Sequence, residues 1–247
     1  MVGVEFANVN YALTDGRFLL RDVSFALEAG TITALLGRSG SGKTTLLRMV
    51  NGLVMPTSGE VQVSDRATTV YDLVALRRSI GYVIQETGLF PHMTVERNAG
   101  MALKLAGRSK AAIATRAAEV LGLVGMDFEQ FRERYPWQLS GGQRQRVGLA
   151  RALATDPSVL LMDEPLGALD PMTRVEMQTM VKELFARLNK TVLLVTHDLD
   201  EALYLAQRVI FLADGQVVAD LSSSDVLASQ NPHVKDYVHA VHRTVSA

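Results

Sequence analysis

Gly37-Arg38-Ser39-Gly40-Ser41-Gly42-Lys43-Thr44 decides how this chain is read. It fits G-x-x-x-x-G-K-[ST], a loop whose backbone N–H groups cradle phosphates. Thr31-Ile32-Thr33-Ala34-Leu35-Leu36 before it is apolar and β-branched, as a buried strand requires. Thr45-Leu46-Leu47-Arg48-Met49-Val50 after it can continue as a helix. Glycines let the loop wrap closely, because no Cβ blocks the phosphates. Successive N–H groups and the helix N-terminus then face the anion. Lys43 is expected to reach the β- and γ-phosphates of a triphosphate, and the Thr44 hydroxyl to ligate Mg²⁺.

A second polar end follows an apolar run. Val159-Leu160-Leu161-Met162 reads as a buried parallel strand carrying Asp163-Glu164 at its C-terminal end, where open α/β sheets bind ligands. Asp163 is expected to hold Mg²⁺ through water. Glu164 lies one residue on and points elsewhere, so it can act as general base for a water in line with the γ-phosphate. Thr191-Val192-Leu193-Leu194-Val195-Thr196 is a third such strand and ends in His197-Asp198. Ile80-Gly81-Tyr82-Val83-Ile84 is a fourth and ends in Gln85.

Leu139-Ser140-Gly141-Gly142-Gln143 is surplus to one nucleotide site within one chain. Ser140 reads as an N-cap, and the two glycines leave N–H groups exposed at a helix start, a second anion site. A capped surface helix is the alternative. The surplus suggests a nucleotide shared between two copies of the protein.

Composition bounds the rest. The chain has 247 residues, 48% of them hydrophobic, which fits one domain with subdomains and a substantial core. A net charge of −1 argues against a general nucleic-acid surface. Arg144 and Arg146 are expected on a solvated helix face. The absence of cysteine excludes disulfides and thiolate metal sites and is compatible with the cytosol. No signal peptide is expected, since the N-terminus opens as the strand Val4-Glu5-Phe6-Ala7-Asn8-Val9. No apolar run reaches the roughly 18 residues of a membrane span, so a pore would come from other chains.

Residues 1–30 alternate as strands around an Asp15-Gly16 turn and should form an antiparallel layer. Residues 31–85 and 139–247 should form the nucleotide-binding core, with residues 86–138 an inserted helical subdomain. A serine cap at Ser109 opens one of its helices. Asp170-Pro171 is a cap followed by proline at the first helical position. Met177, Met180, Val181, Leu184, Phe185 and Leu188 then share a face that reads as core. Asp214-Gly215 signals a hairpin between residues 209–212 and 216–218. Trp137 is either a half-buried packing residue or a functional one. His233, His239 and His242 are assigned no metal role.

With these motifs quoted, the chain resembles the ATP-binding cassette (ABC) ATPases over nearly its whole length. The resemblance implies an α/β fold, a P-loop NTPase (RecA-like) core with an N-terminal antiparallel β subdomain and an inserted helical subdomain. Residues 37–44 look like Walker A, Gln85 like the Q-loop glutamine, and residues 139–143 like the signature. Residues 160–164 resemble Walker B with its catalytic glutamate. Gly167-Ala168-Leu169-Asp170 looks like the D-loop and His197 like the switch histidine. The implied ATP-binding set is Gly37, Arg38, Ser39, Gly40, Ser41, Gly42, Lys43, Thr44, Thr45, Gln85, Ser140, Gly141, Gly142, Gln143 and Asp163. Thr44, Gln85 and Asp163 serve Mg²⁺, and Glu164 and His197 are catalytic. Two cassettes face head to tail in the family, so Ser140 and Gly142 of one contact the γ-phosphate held by Lys43 of the other. One element departs from the pattern: the adenine-stacking position falls at Leu13, with Tyr11 two residues earlier.

Narrower resemblance lies in Leu76-Arg77-Arg78-Ser79-Ile80-Gly81-Tyr82-Val83-Ile84-Gln85, in Gly88-Leu89-Phe90-Pro91-His92-Met93-Thr94-Val95 and in Tyr135-Pro136. These are similar to cassettes of importers for the osmoprotectants glycine betaine, choline or proline. The implied protein is the ATPase subunit of such an importer, a homodimer or paired cassette. It would sit on the cytoplasmic face of the membrane through integral membrane permease subunits, with an extracytoplasmic solute-binding protein acting indirectly and no nucleic acid. Polar amino-acid importers share parts of the pattern. Phe90, Pro91 and Met93 would line the permease groove or pack inside the helical subdomain. Many such cassettes carry C-terminal cystathionine-synthase-type regulatory domains, and none is expected before Ala247. A soluble ABC machine on ribosomes or DNA usually joins two cassettes or inserts long coiled coils, and this sequence shows neither feature. A non-hydrolysing interaction module is disfavoured by the presence of Glu164 and His197.

Overall fold

The computed structural model describes residues 2–242. Met1 and residues 243–247, including the end at Ala247, lie outside that description, as do the side chains of Val2 and His242. In chain order, β1 (Val2–Ala12), β2 (Phe18–Glu28) and β3 (Ile32–Leu36) precede α1 (Lys43–Val50). Then come β4 (Ser58–Val63), β5 (Arg66–Ala67), α2 (Leu73–Ser79) and β6 (Ile80–Val83). The helices α3 (Val95–Ala99), α4 (Met101–Leu105), α5 (Lys110–Leu123), α6 (Phe128–Phe131) and α7 (Gly141–Leu153) follow. Next are β7 (Val159–Asp163), α8 (Pro171–Leu188), β8 (Thr191–Val195) and α9 (Leu199–Leu205). The described chain closes with β9 (Arg208–Ala213), β10 (Gln216–Ser222) and α10 (Pro232–His242).

Two compact units divide the chain: Met1–Leu76 with Thr191–Ala247, and Arg77–Lys190. These limits differ from the subdomain boundaries expected at residues 30, 85 and 138. The first unit holds an antiparallel sheet of order β2-β1-β4-β5. That sheet takes in residues 58–67 as well as the expected 1–30. The reason is the alternation of β4, whose Val61 and Val63 are buried opposite Phe6 and Val4 of β1. Asp15 closes the β1–β2 turn by accepting the Arg17 N–H at 3.0 Å.

In the same unit β3 lies between β8 and β9 and runs parallel to both. All five residues of β3 and all five of β8 are buried. This is why both read as continuous apolar runs and not as alternating ones. The Asp214-Gly215 turn, at φ +49° and +76°, joins β9 to its antiparallel partner β10 as the sequence indicates.

In the second unit β6 and β7 pair in parallel, Ile80 with Val159 through Val83 with Met162. Ser109 caps α5 by accepting the Ala112 N–H at 3.3 Å. Asp170 caps α8, with Pro171 at its first position. Met177, Val181, Leu184 and Phe185 are buried, whereas Met180 and Leu188, on the same stripe, are half-buried.

One sequence expectation fails here, and one of two open readings is closed. Arg144 and Arg146 do not form a solvated face. Both are half-buried, and their guanidinium groups donate to the carbonyls of Leu139 and Val124 at 2.7 Å. Arginine can bury its stem and still satisfy its head at a chain turn. Trp137 is not a half-buried packing residue. It is 65% exposed, stacked on Tyr135 at 4.5 Å between ring centroids.

Leu35 is fully buried in β3. Leu35→Ala is expected to lower stability by about 2–5 kcal/mol, read as a lower urea midpoint at unchanged slope. The Thr173 side chain and backbone N–H hold the Asp170 carboxyl below its ordinary pKa. The α8 cap therefore contributes fully above the unfolded value and is lost as pH falls through the lower folded one. Asp170→Asn should flatten the acid limb of the stability–pH curve in a denaturation series.

Candidate functional site

Residues 37–42 bridge β3 and α1 within the first unit. Gly37 is buried, and an added Cβ would lie 2.3 Å from the Leu212 carbonyl oxygen and 2.8 Å from the Ser41 Oγ. Only glycine fits there. The N-cap of α1 is Gly42, at φ +104°, so no side chain caps the helix start. Lys43 is 6% exposed, and its Nζ donates to the carbonyls of Gly37 and Arg38 at 2.8 and 2.9 Å. The Ser41 hydroxyl is buried with no hydrogen-bond partner. A glycine-lined turn, a buried ammonium, an unsatisfied hydroxyl and an uncapped helix start together suit a phosphate chain. Arg38, Ser39 and Gly40 are exposed, and Thr44 and Thr45 half-buried.

A cavity of about 600 Å³ adjoins this loop. Residues 37–41 form one wall, and Phe18, Phe211 and Tyr237 supply aromatic surface. Neither Tyr11 nor Leu13 lines it. Tyr11 is half-buried opposite Leu20 of β2, and Leu13 is 36% exposed.

His197 follows β8 in the same unit and is exposed. Its turn is pinned locally: the Thr196 Oγ1 accepts the Asp198 N–H at 3.1 Å and donates to the Glu201 Oε2 at 2.5 Å. Asp198 caps α9 through the Glu201 N–H at 3.0 Å. A residue missed from the sequence also holds it. The Tyr237 hydroxyl of α10 donates to the His197 carbonyl at 2.7 Å, and its ring meets Phe211 edge-on. Forty residues of chain separate the two, so no local pattern announces the bond.

The second unit carries the remaining predicted residues. The parallel pairing of β6 and β7 brings their C-terminal ends to the same edge. Asp163 closes β7 and is 6% exposed. Glu164 follows in the left-handed region, at φ +45°. The Gln85 Nε2 donates to the Glu164 Oε2 at 3.1 Å. Two residues read separately in the sequence thus touch, leaving the Gln85 Oε1 as an oxygen donor. That amide oxygen and the Asp163 carboxylate are oxygen donors, the ligand type a hard cation such as Mg²⁺ prefers.

Ser140 caps α7 as expected. Its Oγ accepts the Gln143 N–H at 3.2 Å, while the Gln143 Oε1 accepts the Ser140 N–H at 3.0 Å. The Ser140 side chain is exposed, and its hydroxyl proton remains a donor. Gly141 is exposed. Gly142 is buried, with an added Cβ only 2.6 Å from the Thr173 Cγ2. The start of α7 therefore offers backbone N–H groups outward over a firmly packed base.

The family model described as ABC transporter matches residues 20–167. The chain is 42% identical over 236 residues to the carnitine transport ATP-binding protein OpuCA of Listeria monocytogenes, covering 95% of this chain and 59% of that protein. It is 46% identical over 207 residues to the osmoprotectant import ATP-binding protein OsmV of Salmonella typhimurium, covering 84% of this chain and 54% of that protein. The chain thus spans less than two thirds of the length of these relatives. Among solved structures, the ATP-binding cassette MJ0796, a dimer in a post-hydrolysis state bound to ADP and Pi, superposes with a TM-score of 0.79. It is 35% identical, over 89% of this chain and 98% of that one. Loop, carboxylates and capped glycine pair are accordingly parts of one known architecture: the chain has the P-loop NTPase fold and belongs to the ABC transporter family of ATP-binding cassettes.

Proposed function

We propose that this chain binds ATP with Mg²⁺, hydrolyses it between two paired cassettes, and so powers import of a small solute. The observation that carries the reading is the phosphate loop: a glycine that tolerates no side chain, a buried Lys43 and an unsatisfied Ser41 hydroxyl. Lys43 and the loop N–H groups bind the β- and γ-phosphates. Thr44, Gln85 and Asp163 would hold Mg²⁺, which neutralises phosphate charge when bound. Glu164, oriented by the Gln85 amide, takes the proton of a water attacking the γ-phosphorus. The bond to the β-phosphate oxygen breaks, and ADP and phosphate leave. His197 steadies the γ-phosphate. Ser140 and Gly142 of the paired cassette complete its coordination, which is why ATP favours the closed pair. A ligand shifts such an equilibrium only by its differential affinity for the two states.

The solute is an osmoprotectant such as glycine betaine, choline or proline. Similarity to OpuCA, a carnitine transport ATP-binding protein, and to OsmV, an osmoprotectant import ATP-binding protein, supports that class. Among the described residues no helix is long and apolar enough to cross a membrane. Integral membrane permease subunits would supply the pore. An extracytoplasmic solute-binding protein would deliver the cargo, and this chain would sit at the cytoplasmic face, with no nucleic-acid partner. The exposed Phe90 and Pro91 and the half-buried Met93, following Gln85, are the surface proposed for the permease.

Lys43→Ala is expected to abolish ATP binding in a nucleotide titration. His197→Ala should retain ATP but turn over about 10²–10³-fold more slowly, the loss typical of one missing transition-state contact. Glu164→Gln should bind ATP, scarcely hydrolyse it and accumulate as a dimer on size-exclusion chromatography with light scattering. A variant that stays monomeric in excess Mg-ATP, even with its permease, contradicts the shared site. For cargo, the full complex in vesicles loaded with ATP should take up one of glycine betaine, choline, proline or carnitine. Phe90→Asp should keep ATP binding while losing uptake. Uptake of none of these solutes by the wild-type complex rejects the cargo and leaves the ATPase reading standing.

A further inference from the structure

Arg151 lies in the last turn of α7, the helix that begins at the Ser140–Gln143 cap. Its guanidinium turns to the loop that follows Gln85. The Arg151 Nη1 donates to the Gly88 carbonyl and Nη2 to the Thr87 carbonyl, both at 2.7 Å. The fork matches two consecutive carbonyls, a geometry that a lysine ammonium cannot reproduce. Burial lowers the Arg151 pKa, so the cation is held at some desolvation cost.

The loop it holds is strained. Thr87 adopts φ +57°, a conformation that is a genuine outlier for a β-branched residue. Such a residue persists only where its surroundings over-determine it. Here they do. Arg151 grips the carbonyls, and Gly148, one turn earlier on α7, lets Thr87 lie against the helix, with atoms 3.6–3.8 Å from an added Cβ. Two residues before Thr87, the Gln85 amide meets Glu164.

We propose that Arg151 is a positioning residue: by clasping Thr87 and Gly88 to the signature helix, it fixes where Gln85 presents its amide to the general base. The inference rests on the ATPase reading given above. It assigns a function to the end of α7 remote from the Ser140–Gln143 cap. It also gives α7 a physical link from its capped start to the loop beside Glu164, all within one compact unit.

The test uses the purified chain and the variants Arg151→Lys, Thr87→Gly and their combination. Arg151→Lys should lower kcat for Mg-ATP about tenfold, the order expected for loss of a charge-assisted hydrogen bond, with KM for ATP near the wild-type value. Glycine occupies the left-handed region without penalty, so Thr87→Gly should remain near wild type and should restore most of the lost rate in the double variant. A second readout needs no nucleotide: amide hydrogen exchange at residues 86–89 should accelerate in Arg151→Lys and slow again in the double variant. Wild-type kcat and wild-type exchange in Arg151→Lys overturn the proposal. So does a lowered kcat that Thr87→Gly leaves untouched at unchanged melting temperature. If neither Arg151→Lys nor Arg151→Gln folds, Arg151 serves stability alone and the positioning role is rejected. Absence of hydrolysis in the wild type rejects the ATPase reading instead, while the exchange readout still decides the clasp.

Discussion

A side chain at residue 37 has nowhere to go. The carbonyl oxygen of Leu212 lies 2.3 Å from where its Cβ would stand. That close approach exists because β9 runs parallel beside β3, with Leu36 opposite Phe211. The strand pairing thus fixes where the chain leaves the sheet, and the loop begins turning at once. Everything after it is committed by that exit. The turn returns through Gly42, α1 starts without a side-chain cap, and the Lys43 ammonium is drawn back onto the carbonyls of Gly37 and Arg38. That leaves a buried cation beside an uncapped helix N-terminus, a setting that favours an anion.

Much of this was legible because the relevant residues are contiguous. The phosphate loop, the Asp163-Glu164 pair and the Ser140–Gln143 cap each lie within a few positions, and each carries a rule of local geometry. The parallel strands were legible as well, because burial on both faces leaves uninterrupted apolar runs at β3, β7 and β8. What stayed hidden is long-range and directional. Tyr237 reaches His197 across 40 positions, and Arg151 reaches Gly88 across 63. Neither residue type specifies its acceptor, since any exposed carbonyl would satisfy it.

The arginines of α7 show why composition misleads at such places. Arg144 and Arg146 read as a solvated helix face, and Arg151 lies further along the same helix. Instead each donates to a backbone carbonyl at 2.7 Å, of Leu139, Val124 and the Thr87–Gly88 pair. Those carbonyls lie at chain reversals outside regular helix or strand, where the backbone cannot satisfy itself. One helix therefore stitches three irregular segments, and it can do so only with a side chain that is long, forked and permanently charged. The helix buries Val147, Leu149, Ala150 and Leu153, and that core sets its orientation. Its arginines then act as fixed posts.

Positive φ values mark where the chain departs from its own preferences. Several fall at Asn, Asp or glycine, residues that tolerate the left-handed region in ordinary turns. Thr87 and Glu164 do not belong to that class, and both are tied into the same neighbourhood: Glu164 through the Gln85 amide, Thr87 two residues beyond Gln85. Each such conformation costs on the order of 1–3 kcal/mol and persists only if packing enforces it. A purely structural loop would gain by replacing Thr87 with glycine or asparagine. The chain instead holds the strained residue with a half-buried arginine. That pairing of strain and restraint holds the segment in one shape beside the Gln85–Glu164 contact.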